Sequence, residues 1–327
     1  MSRFSEKLLE IENLRIHIKV GNRLIRAING VSLNVDEGET LGIVGESGSG
    51  KSMLCRAILG LFPQDAVLEE NSVIKFKECD LTQLTEKQLN KIRGKEISLI
   101  LQNPMTSLNP VIKTGKQISE TLVRHLKIKR KTARKNAVQL IKSVGIPMSE
   151  RIADQYPYSL SGGMRQRAAI AIAISCEPKL LIADEPTTAL DVTLQAEIMD
   201  LLGELRFRKK MAMILVSHDF GVIANRTDKV AVMYAGKIVE MACMNKLFTK
   251  ARMPYTRALI NSIPKIEDKP FARLDAIKGT PPNLAQLPSG CSFSPRCNKA
   301  KKLCFEKEPR LTFDTDDKHF FACWHPI

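Results

Sequence analysis

The chain opens on short apolar runs broken by turn residues. LLEIENL, LRIHIKV, VSLNV and TLGIVG, between residue 7 and about residue 45, carry the alternation of strands, and Asp36-Glu37-Gly38 marks a turn between two of them. A helix, SMLCRAILGL, follows a glycine-rich loop, and residues 104–160 read as mostly helical. Apolar strands return as KLLIADEP and MAMILVSHD. Between them VTLQAEIMDLLGELRFRKK places Ile198, Leu201, Leu202 and Leu205 at helical spacing. Strands alternating with helices predict an α/β fold with a parallel sheet core. Residues 104–175 read as a helical subdomain inserted into a domain spanning 1–240. From 241 to 327 prolines, cysteines and charges become frequent and periodicity fades, which predicts an irregular C-terminal extension with its own role.

Composition narrows the class. The chain has 327 residues, 44% hydrophobic and 26% charged, ordinary for a folded protein with room for a large core. No run of eighteen apolar residues is present, and MSRFSEKLLEIENL lacks the features of a signal peptide. A cytosolic location is therefore expected, with the eight cysteines outside structural disulfides. The net charge of +15 is compatible with nucleic acid, an anionic membrane surface or phosphate ligands. Its densest run, Arg124 to Lys135, reads as a solvated helix face or a contact with headgroups or a partner subunit. No recognition module accompanies it, so nucleic acid is not expected as a partner.

GESGSGKS follows the apolar strand LGIV and precedes a helix, which is the setting of a phosphate-binding loop. Gly45, Gly48 and Gly50 let backbone N–H groups of Glu46, Ser47 and Ser49 curl round a phosphate without Cβ clashes. The helix start adds partial positive charge, Lys51 a point charge for the β and γ phosphates, and Ser52 a hydroxyl for Mg²⁺. LLIADE is an apolar strand ending in two carboxylates. Asp184 is suited to holding Mg²⁺ and Glu185 to polarising an attacking water; taken alone, the same pattern also fits a buried strand with a solvated end. In LSGGMRQR, Ser161, Gly162 and Gly163 begin a second helix whose N–H groups face an anion.

With two phosphate-binding helix starts far apart in one chain, the sequence resembles the ABC-type ATPases. That resemblance implies a P-loop nucleotide-binding domain with an antiparallel β subdomain and a helical subdomain, ATP and Mg²⁺ as ligands, and a dimer with two composite sites. In each, the phosphate loop of one subunit faces the signature of another, here Ser161, Gly162, Gly163 and Gln166. Gln102 in LILQNP matches the glutamine near Mg²⁺ and water, Asp191 in TTALD the D-loop, and His218 in LVSHD the histidine that contacts the γ-phosphate. One departure stands out: Ile18, in LRIHIKVGN, occupies the place where many relatives stack an aromatic side chain on adenine, with His17 beside it.

NPMTSLNP, DEPTTALDVTLQAEIMDLL, MPYTRALINSIP and GTPPNLAQLPSGCSFSPRC resemble the ATPase subunits of dipeptide and oligopeptide importers over almost the whole length. This implies a motor on the cytoplasmic face of the cell membrane. Its partners would be a second, different ATPase subunit, two membrane permease subunits and, indirectly, an extracytoplasmic peptide-binding protein. Related motors serve nickel complexes, glutathione or antimicrobial peptides, and a soluble ABC ATPase acting on nucleic acid is the reading from another class.

Cys291, Cys297, Cys304 and Cys323 are spaced C-x5-C-x6-C-x18-C near the end of the chain. Four thiolates suit a [4Fe–4S] cluster or a tetrahedral Zn²⁺, and free thiols packed in a small core remain a third reading. Some ATPases of the dipeptide importers carry a [4Fe–4S] cluster on such an extension, and this spacing resembles theirs.

Overall fold

A computed structural model describes residues 7–103, 107–188, 190–263, 277–314 and 318–327. Residues 104–106 of NPMTSLNP, Ala189 of TTALD and Pro264 of MPYTRALINSIP lie outside them. The chain divides into two compact units. One comprises Met1–Leu8, Asp36–Glu39 and Gln83–Ile214, the other Leu9–Val35, Thr40–Thr82 and Leu215–Ile327.

The first unit pairs the strands Ile97–Ile100 and Leu180–Asp184 in parallel, Ile97 opposite Leu180 and Ile100 opposite Ala183. All five residues of Leu180–Asp184 are buried, as a strand covered on both faces requires. The helical stretch resolves into Thr114–Leu126, Arg130–Ser143, Ser149–Ala153 and Gly162–Ala173. Buried Ile118 and Leu122 on the first, and Ala133, Ala137 and Ile141 on the second, keep helical spacing and form its core. The basic run lies across the turn between these two helices, with Lys129, Arg130, Lys131 and Lys135 exposed. Arg134 instead pairs with Asp154 at 2.6 Å. The helix Val192–Lys209 buries Ile198, Leu201, Leu202 and Leu205, the face expected from the sequence.

In the second unit the two short strands expected at the N-terminus are one, Lys7–Val20, which passes through Asn13 at a φ of 46°. It pairs antiparallel with Val73–Phe76 at one end and Ala66–Leu68 at the other. The local asparagine signal resembles a turn, but pairing on both sides of Asn13 keeps the strand running. The strand Thr40–Val44, fully buried, lies parallel to Lys229–Tyr234, which turns back into Lys237–Cys243. Both later strands escaped the periodicity reading because Val, Ala, Met, Ile and Glu are interleaved there without alternation.

The C-terminal extension is irregular over residues 277–293 but carries regular elements as well. It forms helices Met244–Lys250 and Pro254–Asn261, and a hairpin of Thr312–Asp314 with His319–Phe321 that adds to Lys237–Cys243. The expected boundary at residues 240 and 241 therefore falls inside a strand. Glu240 on that strand is fully buried. Its carboxylate accepts the N–H groups of Arg252 at 2.6 Å and Met253 at 3.0 Å, and bonds His319 Nε2 at 2.7 Å. Replacing Glu240 by Ala would orphan three buried polar groups, and we expect a loss of about 3 kcal/mol or more. A denaturant midpoint equal to that of the parent would show that the extension is held otherwise.

Candidate nucleotide site

The two units carry different parts of the expected site. In the second, the buried strand Thr40–Val44 delivers the phosphate loop, and the helix Lys51–Ile58 leaves it. Close approach of neighbouring backbone explains two of its glycines. A Cβ on Gly45, at a φ of +156°, would lie 2.2 Å from the Met233 carbonyl oxygen, and one on Gly50, at +104°, 2.7 Å from that of Ala27. Ser49 is fastened from both sides: its N–H donates to the Glu46 carbonyl at 3.2 Å, and its own carbonyl accepts the Gly236 N–H at 2.9 Å. Ser47 and Gly48 are exposed at the loop's crest. Lys51 Nζ is buried and donates to the carbonyls of Gly45 at 2.8 Å and Glu46 at 3.0 Å. The ammonium is thereby held over the loop, where a polyphosphate would be met by N–H groups and one fixed cation. Ser52 follows Lys51 as the second residue of the helix.

His218 is exposed at the end of the strand Ala212–Ser217. The turn after it is set by Asp219, whose N–H donates to Ser217 Oγ at 3.0 Å and whose carboxylate accepts the Gly221 N–H at 2.7 Å. Ile18 is half-buried opposite Ala66. It shares a strand face with Leu14 and Ile16, while His17 points to the other face and meets Glu69 at 3.4 Å. Ile18 and His17 therefore lie on opposite faces of the strand.

In the first unit Asp184 ends its strand almost fully buried, at 2% exposure, and Glu185 follows with a φ of 47°. Few residues other than glycine hold such a conformation, and it turns the carboxylate away from the strand direction. Glu185 Oε2 accepts Gln102 Nε2 at 2.7 Å and Thr188 Oγ1 at 3.0 Å. The structure thus brings together Gln102 and Glu185, 83 residues apart in sequence. Thr188 was missed by the sequence reading; its signal was its place three residues after Glu185.

The signature helix Gly162–Ala173 starts at Ser161, whose hydroxyl accepts the Met164 N–H at 3.2 Å. Ser161 is exposed, Gly162 half-buried and Gly163 buried. Gln166, expected among the signature contacts, is 1% exposed. Arg167 anchors the helix by donating to the Val144 carbonyl and to Glu197, each at 2.8 Å. Asp191 caps Val192–Lys209 by accepting the Leu194 N–H at 2.9 Å.

The four tail cysteines line one cavity of about 20 Å³, together with Met253, Trp324 and His325. Burial pushes the Cys291 thiol up to about 11, with Cys323, Cys304 and Cys297 adding to the shift. Burial likewise raises Cys297 and Cys323. Among the described residues no group of three or more His, Cys, Asp or Glu side chains is placed to hold a metal ion.

A phosphate loop and an Asp-Glu strand end define a nucleoside-triphosphate-hydrolysing cassette. Comparison with known proteins agrees. Residues 28–188 match the ABC transporter family, and residues 239–304 match the C-terminal region of oligopeptide/dipeptide transporters. The chain is 48% identical over 322 residues to the oligopeptide transport ATP-binding protein OppD of Bacillus subtilis (strain 168), covering 98% of this chain and 90% of that protein. It is 44% identical over 319 residues to the dipeptide transport ATP-binding protein DppD of the same organism, covering 98% and 95%. Among solved structures, a dimeric ATP-binding cassette in a post-hydrolysis state with ADP and Pi superposes with a TM-score of 0.65 at 28% identity, covering 72% of this chain and 98% of that one. The chain belongs to the ABC transporter family, among the ATP-binding proteins of oligopeptide and dipeptide transport. It is an ATPase, and ATP with Mg²⁺ follows from that membership.

Proposed function

We propose that this chain is the ATP-hydrolysing subunit of a membrane importer for dipeptides or oligopeptides. The observation that carries the reading is its likeness to peptide-transport ATP-binding proteins over 98% of its length, tail included. No described helix is long and apolar enough to cross a membrane, so the transport path would be supplied by other chains. Two permease subunits, a second ATPase subunit and an extracytoplasmic peptide-binding protein would complete the assembly at the cytoplasmic face.

In this reading Lys51 and the loop N–H groups would hold the β and γ phosphates, and Ser52, Asp184 and Gln102 are the residues that would hold Mg²⁺, which would neutralise phosphate charge. Glu185 takes a proton from the attacking water, and His218 contacts the γ-phosphate. Ser161, Gly162 and Gly163 would face the phosphates of the partner subunit's nucleotide beside the D-loop residue Asp191, while Gln166, 1% exposed, would support the helix from within rather than meet them. Catalysis then rests on positioning and charge neutralisation, with no covalent intermediate on the protein. Deleting the gene should abolish growth on a dipeptide or oligopeptide as sole source of a required amino acid, and plasmid-borne copy should restore it. Normal peptide growth in the deletant, with loss of nickel or glutathione uptake instead, would redirect the substrate.

For the tail we propose a [4Fe–4S] cluster rather than zinc. Convergence of four thiols on one cavity supports a shared ligand. The tail has no tight C-x2-C pair of the kind common in zinc ribbons and knuckles. Cys291, Cys297, Cys304 and Cys323 would bind as thiolates, so loading would release protons. About four iron and four sulfide per anaerobically purified chain are expected, and lost in Cys291→Ser. Absence of iron would leave packed thiols.

A further inference from the structure

Glu46, the second residue of the phosphate loop, carries a negative charge where a polyphosphate is to bind. The tail answers that charge. Arg296 donates from both terminal nitrogens to the Glu46 carboxylate, Nη1 to Oε2 at 2.5 Å and Nη2 to Oε1 at 2.9 Å. Its remaining donors reach the Lys278 carbonyl at 3.0 Å, Tyr234 Oη at 3.3 Å and the Ile277 carbonyl at 3.4 Å. All five guanidinium N–H groups are thereby used. The Arg296 side chain is 5% exposed and that of Glu46 is 22% exposed, so the pair is screened less than a surface bridge.

The rest of Glu46 is held as well. Its N–H donates to Tyr255 Oη at 2.9 Å, and its carbonyl accepts both Lys51 Nζ at 3.0 Å and the Ser49 N–H at 3.2 Å. Tyr255 packs at 4.6 Å from Tyr234 and 5.3 Å from Phe293, ring centre to ring centre. Arg296 itself ends the turn Ser294–Arg296, which lies between two thiols of the tail site. The Cys291 N–H donates to the Cys304 carbonyl at 2.8 Å, and the Cys297 N–H to the Ser294 carbonyl at 3.3 Å.

We propose that Arg296 is a positioning residue for ATP binding: its fork neutralises and fixes Glu46, and so holds the phosphate loop and Lys51 in the form that receives the nucleotide. The cysteine-bearing turn is then the mount of a piece of the ATP site. Lysine keeps the charge but not the two-pronged geometry, so the two properties separate.

The test is ATP affinity and turnover in the full-length chain carrying Arg296→Met or Arg296→Lys. Arg296→Met is expected to raise the Kd for ATP about tenfold, equivalent to 1.4 kcal/mol, with kcat at saturating ATP changed less than about twofold. Arg296→Lys should recover part of that loss, to about threefold. A purely structural role would lower the melting temperature of the unliganded chain and leave the Kd of the folded protein unmoved. A Kd within about twofold of the parent for Arg296→Met, or a fall in kcat at unchanged Kd, overturns the proposal. Where Arg296→Met does not fold, Arg296→Lys decides alone, and an unchanged Kd overturns it.

Discussion

Glu185→Gln is expected to keep ATP bound while kcat falls about 10³-fold, in the range that a positioned general base contributes. The expectation rests on placement. Glu185 is held at a φ of 47° directly after the buried end of Leu180–Asp184, and Gln102 and Thr188 fix one of its carboxylate oxygens. A carboxylate oriented in this way by neighbours loses little entropy when it meets water. Glutamine preserves the size and can still accept both hydrogen bonds, so folding and nucleotide binding should persist. Only the proton acceptor is removed. Single-turnover hydrolysis alongside ATP binding separates the two effects, and turnover at the parental rate would take Glu185 out of the mechanism.

Gly45→Ala should have the second large effect, on binding rather than chemistry. The added methyl would stand 2.2 Å from the Met233 carbonyl oxygen, a backbone atom that cannot swing aside as a side-chain tip can. Moving the loop would disturb the carbonyls of Gly45 and Glu46 that hold Lys51. We expect ATP affinity to fall about 100-fold or more, because a strained backbone and a displaced cation act together. The stabilisation of the chain by ATP in thermal melts reads this directly. Melts that shift with ATP as the parent's do would mean that the loop tolerates a side chain there.

The phosphate loop, the Asp-Glu strand end and the signature helix were legible because each depends on a few neighbouring residues. Glycines, a lysine and an apolar strand within one short segment state their chemistry without help from the rest of the chain. The helix Val192–Lys209 was legible for the same reason, since one turn relates the residues of a buried face. The strands Lys229–Tyr234 and Lys237–Cys243 were not, because burial on both faces erases alternation. Nor did the prolines and charges of the tail reveal a hairpin that completes itself only by adding to Lys237–Cys243.

The amino-acid sequence by itself determined that this chain carries a glycine-rich loop between a strand and a helix, of the kind suited to a nucleotide phosphate, and where that loop lies. The tertiary structure decided what holds that loop. Arg296 meets Glu46 across 250 residues, and Tyr255 meets it across 209. A local pattern records the φ preferences and spacing of neighbours, whereas an ion pair between distant segments leaves no periodic trace in either of them. It exists only once the strand Thr40–Val44 and the turn Ser294–Arg296 have been packed within reach of each other.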